Sequence, residues 1–170
     1  MRINSGPNKV PIQSGRNFRI DSPPDNAVVT RELATELERV LEIFGGNARK
    51  GRIGVFFKPG VFGHHKVGRA ADIYAVGGIG FEHWKADWDA ALRGCAEVVN
   101  ERERRAQLNE QRRKNLGWQL YKTLQTYGQW SQPSGFPIQL FGPWTRSEGP
   151  WHFISDFLLK AHCDHIHVAK

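Results

Sequence analysis

The chain has 170 residues, 39% hydrophobic, 11% aromatic and 24% charged, which suits one globular domain and excludes a disordered, collagenous or coiled-coil chain. Its 24 lysines and arginines outweigh 17 acids and leave a formal charge of +7. That balance favours polyanionic surroundings (nucleic acid, anionic lipid or an anionic cell wall) without choosing among them.

The opening MRINSGPNKVPIQSG lacks the apolar stretch of a secretory signal, so no signal peptide is expected. No apolar run approaches the roughly 18 residues that cross a bilayer, and no membrane span is expected. Residues 1–27 hold Pro7, Pro11, Pro23 and Pro24 among small polar residues. They read as an irregular N-terminal arm, followed by a single domain over 28–170.

Leu33, Leu37, Val40, Leu41 and Phe44 recur at helical spacing, with Thr30 as cap and Gly45-Gly46 as the stop. Two β runs follow, Arg52 to Phe57 and Ala70 to Val76, closed by Lys58-Pro59-Gly60 and by Gly77-Gly78. From Glu82 the pattern is helical again through Trp84, Trp88, Leu92, Cys95 and Val99. It continues into ERERRAQLNEQRRK, a solvated helix extension or hairpin tip. Leu116, Leu120, Leu124 and Tyr127 mark a further helix, so residues 82–130 form a long helical insert. A short helix over Ser155 to Ala161 leads to a last strand, Asp164 to Ala169. The fold class is α+β: a small antiparallel sheet with helices packed on one side. Cys95 and Cys163 form no CxxC pair and read as two reduced, mostly buried thiols.

Four of seven histidines fall in two clusters, His64-His65 before the second strand and His165-Ile-His167 in the last. Alternation along a strand puts His165 and His167 on one face and Ile166 and Val168 on the other. Two imidazoles side by side each need a polar partner, which a metal supplies. Zinc in hydrolases takes three His or carboxylate ligands and keeps one position open. His65, Asp72 and one histidine of the pair make such a set, and the other histidine is free as acid, base or oxyanion stabiliser. His64 is an alternative to His65 at a less suitable separation from Asp72.

The string His65-Lys-Val-Gly68-Arg-Ala70-Ala-Asp72 with the terminal Asp164-His165-Ile-His167 resembles the zinc peptidases related to lysostaphin, the D-Ala-D-Ala metallopeptidases and the hedgehog signalling domain. The resemblance implies zinc, one ion per chain, on His65, Asp72 and His167, with His165 as the catalytic helper. Gly68 and Ala70 match the small positions between ligands. Gly63 stands where the family has Ser, and the cation that anchors substrate has no match in place, leaving Arg52 or Lys58 for that task. A second arrangement uses Glu148 as base and His152 as ligand, from Glu148-Gly-Pro-Trp151-His152, one residue longer than the family's Glu-x-Trp-His. Trp144 and Trp151 are candidates for the walls of a substrate groove. His83 and His162 read as structural or surface residues, and Asp164 as an outer contact to a histidine.

The implied activity is hydrolysis of amide bonds in peptidoglycan stem peptides or cross-links, as a carboxypeptidase or endopeptidase. Without a signal, such an enzyme is made in the cytoplasm and meets the wall after phage lysis or through a dedicated secretion machine. A secreted toxin would require an immunity protein in its producer. The rival readings are a non-catalytic zinc-containing binding module of the same fold and a basic nucleic-acid-acting protein. No GxxxxGKS loop, HNH-like pattern or aromatic RNA-binding signature supports the latter.

Overall fold

A computed structural model describes residues 9–48, 51–60, 63–132, 138–148 and 155–170. The strands are β1 (Lys9–Pro11), β2 (Phe18–Ile20), β3 (Val28–Thr30), β4 (Ile53–Lys58), β5 (Ala70–Val76), β6 (Ile79–Gly80), β7 (Leu140–Phe141) and β8 (Ile166–Ala169). The helices are α1 (Arg31–Ala48), α2 (Phe81–Ala96), α3 (Glu101–Lys114), α4 (Leu116–Tyr127), α5 (Thr145–Glu148) and α6 (Asp156–Ala161). The fold is α+β, with one sheet in the order β2-β4-β5-β8-β7, β6 added to β5, and a separate β1–β3 ribbon. The strands from β4 to β7 pair antiparallel, whereas β2 joins β4 in parallel.

Helix α1 buries Leu33, Leu37, Val40, Leu41 and Phe44, the stripe expected from its spacing. Thr30 caps it, its Oγ1 accepting from the Leu33 amide at 3.4 Å. The expected stop at Gly45-Gly46 is corrected: the helix runs on to Ala48. A Cβ on Gly45 would lie 2.2 Å from the Asn17 carbonyl oxygen, so this glycine admits a crossing chain.

That crossing chain corrects the reading of the N-terminal arm as irregular. Residues 9–27 contain β1, β2 and a 3-10 turn at Pro24–Ala27, and they bury Ile12, Phe18 and Ala27 in the core. Strands of three residues are too short to carry a period, and Pro11, the one proline in them, stands at the end of β1.

The core lies between the sheet and helices α1 and α4. Ile73 and Val76 of β5, Ile166 and Val168 of β8, and Leu37, Leu120 and Leu124 are all fully buried there. Between β4 and β5 the register slips: Phe56 faces Ala75 and Phe57 faces Ile73, which leaves Tyr74 as a bulge. Strict alternation would put Ile73 and Val76, three residues apart, on opposite faces. The bulge lets both reach the core, while Tyr74, next to Ile73, keeps to the face of Asp72.

The helical insert forms α2, α3 and α4. Helix α3 buries no residue, and its ends carry Glu101 and Glu103 at the N-terminus and Arg112, Arg113 and Lys114 at the C-terminus, each complementary to the helix dipole. It is the solvated hairpin arm that its charges suggest. Both cysteines are free. Cys95 is buried, but Cys163 is exposed, against the expectation of two buried thiols.

Candidate metal centre

The face of β5 and β8 that turns away from the core carries the clustered polar residues. Asp72 stands directly across from His167 in the β5–β8 ladder and across from Lys58 in the β4–β5 ladder. Paired positions on neighbouring strands share a face, so the ladder itself brings Asp72 to His167. His65 arrives from the 3-10 turn Gly63–His65. That turn is tied down by the Gly68 amide to the His65 carbonyl at 2.9 Å and the Arg69 amide to the His64 carbonyl at 2.8 Å. Gly68 has φ +73°, a left-handed conformation that explains the glycine in the motif.

The three side chains converge. His167 Nδ1 lies 2.9 Å from Asp72 Oδ1, His65 Nε2 lies 3.3 Å from Asp72 Oδ2, and the two ring nitrogens are 3.2 Å apart. All three are nearly buried, with side-chain exposures of 11–13%. Three sets of lone pairs facing one another in a nearly buried site call for a cation or shared protons at their centre. His65, Asp72 and His167 could therefore hold a metal ion. Burial raises the Asp72 pKa, but hydrogen bonds from His167 and His65 outweigh it and hold the carboxyl well below the usual range. Burial pushes the His167 imidazole down, which favours the neutral, metal-binding form.

His165 stands beside this set. Its Nδ1–H donates to Asp164 Oδ1 at 2.7 Å, and Nε2 lies 3.7 Å from Asp72 Oδ1, too far for a hydrogen bond. Nε2 is thus the ring nitrogen that faces the centre without a hydrogen bond to Asp72. Asp164, expected as an outer contact to a histidine, orients His165.

Sequence reasoning missed three parts of the site. Gly60 lies against the His65 ring, where a Cβ would come within 2.2 Å of Cγ; its place after a proline signalled only a turn. Tyr74 stacks on His165 with ring centroids 4.7 Å apart. His162, read as structural, packs against the rings of His165 and His167 at 5.0 and 5.3 Å and bonds its own helix at the Leu158 carbonyl. Burial pushes its pKa down to about 4.

Other expectations are corrected. Arg52 lies just before β4, at the end opposite Lys58, which pairs with Asp72. Six residues of strand span about 20 Å, so Arg52 does not line the site. Trp144 is fully buried between Phe81 and Tyr121 and belongs to the core, not to a groove wall. His64 is exposed and outside the cluster. Trp151 and His152 lie outside the described residues, as does the side chain of Glu148. A cavity of about 350 Å³ opens beside His65, lined by Lys9, Asp25, Val28, Lys58 and Gly60 among others. Part of its wall comes from the N-terminal segment. Among the described residues no helix is long and apolar enough to cross a membrane.

Comparison of the chain with protein-family models, curated proteins and solved structures finds no match.

Proposed function

We propose that this protein is a zinc-dependent peptidase that hydrolyses amide bonds of peptidoglycan stem peptides or cross-links, as a lytic enzyme or an antibacterial effector. The observation that carries the reading is the convergence of two histidines and one aspartate beside a third, separately oriented histidine. Ligand bonds of about 2.0–2.1 Å in a tetrahedron give ligand–ligand edges of about 3.3–3.4 Å. The two imidazole nitrogens, 3.2 Å apart, match such an edge, and one ligand atom from each of the three residues lies within 4.8 Å of the others, a spread that small side-chain adjustments close around an ion. The donor set, two neutral imidazoles and one carboxylate, suits zinc and leaves a net positive charge at the centre.

When bound, zinc polarises the scissile carbonyl and shifts the acidity of water towards neutrality. The chain's own residues do the rest. His165 accepts a proton at Nε2 from the attacking water and returns it to the leaving amine. Asp164 holds the opposite nitrogen protonated and steadies the imidazolium while the proton is carried. Lys58, level with Asp72 and next to the cavity, takes over from Arg52 as the candidate contact for a substrate carboxylate. The basic surface helps hold the protein on an anionic wall, more weakly as salt rises. Used as a toxin, it would require an immunity protein in its producer.

The test is digestion of purified muropeptides followed by mass spectrometry, using zinc-loaded wild type, His65→Ala, Asp72→Ala and His165→Ala. New product peptides from wild type alone are expected. Equal product from all four removes the mechanism, and none from metal-loaded wild type points instead to a binding module.

A further inference from the structure

The β5 bulge has a chemical use that the metal ligands do not account for. Tyr74 is the residue left unpaired by the register slip. In the strand order β4-β5-β8 its ring stands between a side chain from each neighbour. From the residue just ahead of β8 comes His165, stacked on it at 4.7 Å with the planes only 16° apart. From β4 comes Lys58, whose Nζ lies 4.0 Å from the ring centroid, a distance at which an ammonium is attracted by the face of an aromatic ring.

We propose that Tyr74 is a positioning residue that fixes the plane of the His165 imidazole, so that its Nε2 meets the hydrolytic water. The imidazole turns about its Cβ–Cγ bond, and the acceptor of its Nδ1–H, the Asp164 carboxylate, is a half-exposed side chain that can follow the ring through part of that turn. A flat aromatic surface on one face removes the rotation, and the tilted His162 ring at 5.0 Å limits it further. Lys58 in turn restrains Tyr74. The ring, not the hydroxyl, performs this task, so phenylalanine preserves it and leucine does not.

The catalytic consequence rests on the proposed role of His165 as proton carrier, so the experiment reads the ring as well as turnover. In the zinc-loaded full chain, NMR relaxation of the His165 ring C–H groups reports whether the imidazole plane is fixed. Tyr74→Leu should make that ring mobile and lower kcat roughly 10- to 100-fold, the effect of a misplacement of about 1 Å, with KM and zinc affinity unchanged. Tyr74→Phe should restore both the fixed ring and most of the turnover. A His165 ring as rigid in Tyr74→Leu as in wild type, or mobile with no loss of kcat, would overturn the proposal, as would zinc affinity falling together with kcat. A wild type without turnover would remove the peptidase reading alone, and the ring relaxation would still decide whether Tyr74 sets the imidazole plane.

Discussion

The two faces of the β5–β8 ladder share a backbone and differ in almost everything else. One face presents Ile73, Ile166 and Val168, all fully buried against the helices. The other presents Asp72, His165 and His167, also buried, yet held by hydrogen bonds to one another and to Asp164 rather than by apolar contact. Apolar burial fixes the strands from below through close packing, with no polar partner to satisfy. The polar face then inherits a rigid platform and uses direction alone, which is what a metal site needs. The contrast teaches that stability and chemistry are separable here by residue parity.

Substitutions on the two faces should therefore fail in opposite ways. The largest effect is expected on the polar side: Asp72→Ala should lower hydrolysis roughly 10³-fold or more while the chain stays folded, read by product analysis alongside circular dichroism. On the apolar side, Ile73→Ala should destabilise the fold by about 2–5 kcal/mol and leave zinc affinity per folded molecule unchanged, measured by urea denaturation and metal titration. A zinc affinity that fell with Ile73→Ala at full folding would break the separation.

Gly60→Ala sharpens it. The added methyl must displace the His65 ring, so metal affinity should fall about 10- to 100-fold with little change in urea midpoint. Acid should act on the metal-free polar face. His162 is held at about 4 in the folded chain, against about 6.5 unfolded. Between these values the unfolded chain binds more protons, so stability falls as pH drops from about 6.5 towards 4. His162→Phe should flatten that limb in urea midpoints measured across the range. Asp72, depressed by its histidine partners, adds stability that is present above about 3.9 and is lost on further acidification. The smallest contrast separates the two cations of the β4 segment. Lys58→Gln should raise KM a few-fold for carboxylate-bearing peptides, and Arg52→Gln should leave it unchanged.

The faces of Ile166, His167 and Val168 were legible in the sequence because alternation needs no long-range information, whereas the strand expected from Asp164 begins only at Ile166, and Asp164 turns its carboxylate to His165. The convergence of His65 and Asp72 with the last strand was legible only through motif resemblance, since the pairing of Asp72 with His167 spans 95 residues and no local period encodes it. Tyr74 and Gly60 escaped for the same reason: each matters through a neighbour brought by the ladder or by a turn. The N-terminal segment escaped because its strands are three residues long. Gly45 misled because a helix-ending residue served instead to admit the Asn17 backbone.

The most direct test of the centre is zinc stoichiometry and affinity by equilibrium titration of the full chain and its single-alanine variants. One ion per chain is predicted for wild type and His165→Ala, with binding lost in His65→Ala, Asp72→Ala and His167→Ala. Undiminished zinc in His167→Ala, or no zinc on wild type, would contradict the account.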